Sequence, residues 1–436
     1  MKTLLPFQAV GALRLAQNYH HVLADVPGLG KTPQAIHAAA MVNARRVLVT
    51  CPASVRTNWY EHVEEHFGHT RGWEIVSYDE ARKHVRDPLR GRYDVYIGDE
   101  GHFLKTIGSQ RTQAVFGNGR DGFPLGLARS CDYKWILTGT PVLNRPRELF
   151  PVLASLHPAF NGMTFAAFAQ KYCGAYWDGF GINTKGATNV DELAGLLDGF
   201  MIRRTKKEVF PNRREPDVQL VPIDLTREDL AAVYAEEELI GNREAKISSI
   251  HEDFSALGDL ARLLRLTGEA KVRATVSYLE DKLATIDKVV VFFHHTEVGR
   301  KLYERAAARG FQPAIYQGGM SDSQKDGQKA RFMAQPACRV FLGQIQAAGT
   351  GINGLQEVCD RAVFAEQSWV PGAMGQAIDR LDRMNKDGEF LNFVTADILH
   401  ARGTLESAVL GSRIGKNVVI DRLMNDDERD ARGVFN

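Results

Sequence analysis

Cysteine is scarce in this chain: five residues in 436, at Cys51, Cys131, Cys173, Cys338 and Cys359, with no CxxC pair among them. That pattern excludes a disulfide scaffold and a cysteine zinc site, and reads as buried free thiols in a reducing compartment. Net charge is equally small. Fifty-four basic residues face 53 acidic ones, leaving +1; a protein whose whole surface coats an acidic polymer is excluded, while a local basic stripe along one groove is not. No stretch approaches the roughly 18 continuous apolar residues that a membrane span needs. Met1 to Val10 lacks a basic leader, an apolar core and a small-residue cleavage site, so the expectation is a soluble, intracellular protein without membrane contact. No repeat of fixed short period and no low-complexity tail is visible. What is present is ordinary for a globular protein: 44% hydrophobic residues, 25% charged and 40 glycines. At about 150 residues per domain, the length predicts two or three domains.

Short apolar runs recur with helical stretches between them: Val47–Val49, Val95–Ile97, Trp135–Leu137, then Val289–Phe293, Val340–Leu342 and Ala362–Phe364. Such runs are the mark of buried parallel strands in an α/β protein. Two clusters of them flank a stretch that begins basic (Arg203, Arg204, Lys206, Lys207, Arg213, Arg214) and then turns helical, with Leu230, Val233, Leu239, Leu257, Leu263, Leu264 and Leu266 at helical spacing. The division expected is a first α/β lobe over 1–212, a linker with a helical insertion over 213–285, and a second α/β lobe over 286–436 ending in a C-terminal brace.

Between the apolar Val22-Leu23-Ala24 and the helical stretch Thr32–Val42 lies Asp25-Val26-Pro27-Gly28-Leu29-Gly30-Lys31-Thr32. A strand that enters a glycine turn ending Gly-Lys-Thr offers backbone N–H groups and a helix N-terminus to phosphate, Lys31 to the β/γ oxygens and the Thr32 hydroxyl to magnesium. Asp25 stands where the usual pattern has its first glycine, and a purely structural glycine turn is the bland alternative. Downstream, Asp99-Glu100-Gly101-His102 follows an apolar strand, where α/β sheets place their ligands. Asp99 there suits a metal and Glu100 suits a base that activates water. Against that stands a solvated acidic turn capping a helix.

Taken together these stretches resemble the Swi/Snf-type ATPases of the superfamily-two helicases. Leu5-Pro6-Phe7-Gln8 looks like the adenine-recognition motif, which implies Gln8 on the base. An aspartate at the Asp25 position is ordinary in that family's phosphate loop, which comprises Gly28, Gly30, Lys31 and Thr32 here. Val49–Val55 with Trp59 resembles the DNA-strand motif, Asp99–His102 the Asp-Glu-x-His box with a glycine at 101, Leu137–Pro141 the lobe-coupling motif, and Met201–Val209 the lobe-junction signature. Phe292–His295, Gly349–Asn353 and Gln376–Arg383 look like the later motifs, in order. Lys271, the His294-His295 pair and Tyr172-Cys173 resemble the HepA-related annealing helicases that remodel stalled forks, a branch whose usual accessory DNA-binding modules have almost no room in this chain.

The resemblance implies two RecA-like lobes with parallel sheets, ATP and Mg2+ as cofactors, and DNA (duplex, branched or forked) as partner. Lys31, Glu100, Arg380 and Arg383 carry the chemistry; Gln8, Gly28, Gly30, Lys31, Thr32 and Gln376 hold the nucleotide; Thr32 and Asp99 hold the metal. Arg380 and Arg383 supply the cation that stabilises the γ-phosphate, as opposed to forming a salt-bridged helix face with Asp379 and Asp382. Ser54, Thr350, Arg203 and Arg204 are candidate DNA contacts, with a solvated basic linker an equally open reading for the arginines. The activity expected is an ATP-hydrolysing translocase that remodels or reanneals DNA. A processive unwinding helicase and a nucleotide-gated DNA-binding scaffold are the alternatives. A monomeric motor, a protein partner that supplies DNA selectivity, and a prokaryotic or viral setting complete the expectations. His294 and His295 read as packed or hydrogen-bonded, and Trp135, Trp177 and Phe180 as packing aromatics. The glycine-rich stretch 117–126 reads as a loop without assigned function.

Overall fold

In a computed structural model of the chain, the described residues are 2–85, 92–117, 126–139, 141, 145–179, 181–240, 254–347, 352–368, 373–384, 388–390, 393–402 and 404. Thr350, Phe180, most of the 117–126 loop and the expected C-terminal brace therefore lie outside them. The chain divides into two compact units, one over residues 1–213 and a second beginning at Arg214.

In the first unit, helix α1 (Pro6–Gln17) precedes strand β1 (His20–Leu23), α2 (Lys31–Met41), β2 (Val47–Cys51), α3 (Arg56–Phe67), β3 (Trp73–Ser77), β4 (Val95–Asp99) and β5 (Tyr133–Leu137). A small antiparallel pair, β6 (Tyr176–Trp177) and β7 (Ile182–Asn183), and the short β8 (Met201–Ile202) follow. The sheet order is β3-β2-β4-β5-β1-β8, with every pairing parallel. Alternate residues of each strand enter opposite cores. Leu48 of β2 and Tyr96 of β4 pack on one face of the sheet, while Val47, Val49, Val95 and Ile97 pack on the other. Two buried faces require near-continuous apolar strands, which is why these runs stood out in the sequence.

The second unit repeats the plan. Strand β9 (Asp217–Ile223) leads to α4 (Arg227–Ile240), α5 (Phe254–Leu283), β10 (Val289–Phe293), α6 (Thr296–Ala308), β11 (Ala314–Tyr316), α7 (Asp322–Ala334), β12 (Val340–Gln344), β13 (Arg361–Phe364), α8 (Ala373–Ile378) and β14 (Thr395–Ala401). Its parallel sheet has the order β11-β12-β10-β13-β14-β9. Val290 and Phe292 enter one core while Val289, Val291 and Phe293 enter the other. The expected α/β class and the two parallel sheets are borne out.

The expected linker is corrected. Residues 217–223 pair with 395–401 along the whole of β14, and α5 buries Val272, Val276, Leu279 and Leu283 in the core beneath that sheet. This stretch belongs to the second unit. It escaped sequence reading because β9 is an edge strand: Gln219 and Leu220 are exposed, and Pro222, which donates no hydrogen bond, is tolerated only at such an edge.

All five cysteines are free and buried. Among the described residues no helix is long and apolar enough to cross a membrane. One buried group makes the first unit acid-sensitive. His21 on β1 is 2% exposed, packs near Phe200, and has no hydrogen-bond partner on either ring nitrogen. Burial, reinforced by the charge of Arg14, lowers its pKa from 6.5 to about 4. The unfolded chain therefore binds the extra proton first, and the stabilising contribution of neutral His21, complete above pH 6.5, is lost as pH falls toward 4. His21→Leu should cut the stability lost between those limits by on the order of 3 kcal/mol, read from denaturant midpoints at each pH. Equal acid losses in both proteins would contradict it.

Candidate functional site

The turn between β1 and α2 is shaped by two glycines in the left-handed region, Gly28 (φ 94°) and Gly30 (φ 72°), the latter capping α2. Lys31 opens α2, and its Nζ donates to the Asp25 carbonyl at 2.8 Å, folding the side chain back over the turn. Gln8, in the first turn of α1, accepts from the Leu5 N–H at 3.0 Å and donates to the Leu29 carbonyl at 3.2 Å. α1 and the glycine turn are thus tied together through Gln8. A Cβ at Gly30 would lie 2.5 Å from Gln8 Nε2 as well as sitting at positive φ. Gly30→Ala should therefore cost about 1–2 kcal/mol of stability from backbone strain alone. It should also weaken nucleotide binding measured by equilibrium titration; unchanged affinity would separate this turn from the ligand.

Beneath the turn lies a network that sequence reading missed. Asp25 is fully buried, and its carboxylate receives Arg204 Nε at 2.9 Å, Arg204 Nη2 at 2.5 Å and Gln34 Nε2 at 3.1 Å. Arg204 Nη2 also donates to Gln34 Oε1 at 2.8 Å, and Arg204 Nη1 to the Phe7 carbonyl. Arg203 donates to the carbonyls of Ala24 and Gly139 at 2.9 and 3.2 Å. The expectation of Arg203 and Arg204 as DNA contacts, or as a solvated linker, is corrected on this geometry: both are turned inward. A planar fork matched to a buried carboxylate at 25 is the physical reason, since a guanidinium satisfies both oxygens at once. Breaking such a pair strands a buried charge, so Arg204→Met should destabilise the protein by about 3–5 kcal/mol. Chemical denaturation checks this; a loss below about 1 kcal/mol would be that of a surface pair.

The acid pair ends β4. Asp99 Oδ2 accepts from Trp59 Nε1 at 2.7 Å, Oδ1 from the Glu100 N–H at 2.9 Å, and the Asp99 carbonyl from Tyr78 Oη at 2.7 Å. Burial and the neighbouring Glu100 charge push the Asp99 pKa up to about 6, with the Trp59 hydrogen bond and the Lys31 charge pulling the other way. Leu23 at the end of β1 and Asp99 at the end of β4 both lie opposite Leu137 of β5, which sets the turn and the acid pair at the same edge of the sheet. Glu100 adopts φ 52°, a strained setting for a residue with a side chain, and its Oε2 lies 3.3 Å from His102 Nδ1. Gly101 has a structural reason: a Cβ there would come within 2.3 Å of Ile136. Thr32 follows Lys31 in the first turn of α2, and Ser54 is half-buried in the short turn Ala53–Val55 after β2.

In the second unit Gln376 is half-buried on α8, Arg380 is buried, and Arg383 donates through Nε to the Asp379 carbonyl at 2.9 Å and through Nη1 to Asn353 Oδ1. Asn353, within a motif already quoted, thus positions Arg383. Both backbone N–H groups of His294 and His295 donate to Glu366 Oε2 at 2.8 and 2.9 Å, and the His295 ring Nδ1 lies 2.7 Å from Glu366 Oε1, whereas His294 Nδ1 is a buried atom without a hydrogen-bond partner among the described residues. Burial, then the His295 charge, lowers the His294 pKa. Lys271 is fully buried and donates to the Leu399 carbonyl at 3.0 Å. Trp135 is a core aromatic, but Trp177 is not: with Tyr176 and Ile182 it is exposed on the β6–β7 pair. A two-residue strand offers no second layer against which to bury it.

With two parallel sheets, a glycine turn at a helix N-terminus and an acid pair at a strand end, the chain has the build of a nucleotide-using α/β protein, and its residues 69–252 are similar to the SNF2-related domain. It is 30% identical over 429 residues to a Xenopus tropicalis protein, SWI/SNF-related matrix-associated actin-dependent regulator of chromatin subfamily A-like protein 1. That alignment covers 92% of this chain and 43% of the relative. It is 29% identical over 457 residues to the human DNA annealing helicase and endonuclease ZRANB3, covering 97% of this chain and 40% of the relative. The chain thus spans about two fifths of the length of these relatives. The Sulfolobus solfataricus SWI2/SNF2 ATPase core in complex with dsDNA aligns over 100% of this chain and 97% of its own, at 21% identity and a TM-score of 0.43.

Proposed function

We propose that this chain is a DNA-dependent ATPase that translocates on duplex or forked DNA and remodels or reanneals it. The observation that carries the reading is the convergence, in one unit, of Lys31 on the glycine turn with the half-buried Asp99 and adjacent Glu100. The match to an SNF2-related domain and similarity to a relative named as an annealing helicase support it.

In this reading the nucleotide phosphates lie against the N-terminus of α2, with Gly28 and Gly30 allowing close backbone approach and Lys31 leaving the Asp25 carbonyl for the β/γ oxygens. Gln8, already docked on the turn, reads the base, and Gln376 is a further nucleotide contact. The donors present fit Mg2+: a hydroxyl at Thr32 in the first turn of α2 and a half-buried carboxylate at Asp99 at the end of β4, both hard oxygen ligands. When bound, the ion would neutralise phosphate charge. Glu100 takes a proton from the attacking water, and Arg380 and Arg383 stabilise the charge that develops on the γ-phosphate. Ser54 and, outside the described residues, Thr350 hold DNA phosphates through hydroxyls and nearby amides. The motor works as a monomer, with a protein partner supplying DNA selectivity. The buried thiols suit a reducing compartment.

Annealing is separated from unwinding by incubating the purified chain with complementary strands held apart in a partly melted plasmid, and with a model fork. Rewinding that requires hydrolysable ATP is the expected result. Strand separation without rewinding would favour a processive helicase, and equal action with a non-hydrolysable analogue would favour a nucleotide-gated scaffold.

A further inference from the structure

The last two turns of α3 carry His62-Val63-Glu64-Glu65-His66, and helical spacing brings His62, Glu65 and His66 to one face, since residues three and four apart are neighbours on a helix. A ligand atom from each lies within 4.8 Å of the others. Glu65 Oε2 is 3.8 Å from His62 Nδ1 and 4.0 Å from His66 Nε2, while Glu65 Oε1 is held by Lys2 at 2.9 Å. We propose that His62, Glu65 and His66 form a binding site for a late first-row divalent cation, Zn2+ foremost, separate from the nucleotide site.

Two features argue for the site beyond proximity. The first is the hydrogen bond between His66 Nδ1 and His37 Nε2 on α2, 3.2 Å long. In the tautomer with the proton on His66 Nδ1, that nitrogen donates to His37 Nε2 and the His66 Nε2 lone pair lies on the side of Glu65. An outer partner that holds a ligating imidazole in the metal-binding tautomer is the usual companion of zinc histidines. The second is His62 Nδ1, a buried atom with no hydrogen-bond partner.

Two imidazoles four residues apart on one helix face are a recurring zinc arrangement, also found in the H-x-x-E-H order seen here. Tetrahedral zinc with bonds of about 2.0–2.1 Å sets its ligands roughly 3.3 Å apart, so side-chain rotation must shorten the 3.8 and 4.0 Å Glu65 separations and draw the two imidazoles, now within 4.8 Å, to that spacing, with water completing the shell. His66 is buried, while the side chains of His62 and Glu65 are two-fifths exposed, which leaves an entry path for the ion. The bound ion would staple α3, which carries Trp59, the Asp99 partner, and through His37 would brace α2, which begins at Lys31.

The test is titration of the chelator-treated full chain with Zn2+ by calorimetry, and with Co2+ by visible absorption, without nucleotide. A single site per chain is expected, with tetrahedral Co2+ absorption that Zn2+ abolishes and a rise in melting temperature. His62→Asn, a half-exposed position whose fold is checked by circular dichroism, should weaken affinity by at least about 10-fold, and His37→Asn by about 10- to 100-fold through the lost outer partner. No saturable binding by the wild type overturns the proposal, as does binding that His62→Asn leaves unchanged, which would place the metal elsewhere, for instance on Asp99.

Discussion

Glu100→Gln is expected to keep ATP and DNA binding while lowering ATP turnover by about 10^3-fold, within the range of a lost general base. Glutamine preserves the size of the side chain and one carbonyl oxygen, but it accepts no proton from water. The backbone argues that the effect will be chemical and not structural. Glu100 is held at φ 52° by hydrogen bonds that survive the substitution: its N–H to Asp99 Oδ1 at 2.9 Å, and its carbonyl from the Phe103 N–H at 2.9 Å. A strained position costs on the order of 1–3 kcal/mol and persists where the neighbourhood enforces it, often at active sites. Wild-type turnover in this variant, with ATP affinity unchanged, would remove Glu100 from the chemistry.

Arg383→Ala should lower turnover by roughly 10^3-fold or more, the contribution of an arginine that stabilises a transferring phosphoryl group. ATP affinity should change by less than about 10-fold, because the contact is made in the transition state. Arg383 is pre-oriented by Asn353 Oδ1 and the Asp379 carbonyl, so little ordering remains to be done when the nucleotide arrives. Arg383→Lys should recover only part of the loss, since a lysine cannot reach both anchors with a planar fork. Equal losses in turnover and affinity would make Arg383 a structural residue.

What was legible in the sequence follows from how each feature is encoded. Strands buried on both faces must be apolar throughout, so β2, β4, β5, β10, β12 and β13 were visible as runs. The glycine turn and the Asp99-Glu100 pair were visible because phosphate chemistry demands particular residue types at fixed spacing. Strand β9 was not, because an edge strand with Pro222 and exposed side chains follows no such demand. Arg204 shows a different failure. Its basic neighbourhood suggested a solvent-facing role, yet its partner, Asp25, lies 179 residues earlier, and only the sheet that sets β8 beside β1 brings the two together. His62, Glu65 and His66 had helical spacing on view, but the orienting contribution of His37 comes from another helix.

The central claim is that nucleotide hydrolysis in this chain is coupled to DNA. Its most direct test is steady-state ATP hydrolysis by the purified chain at one stated salt concentration, since phosphate-driven affinity depends on salt. The comparison is between no nucleic acid, single strands, plain duplex, a model fork and RNA. Stimulation strongest with duplex or forked DNA, lost in Glu100→Gln, is the predicted result; hydrolysis indifferent to DNA, or none under any condition, would contradict the account.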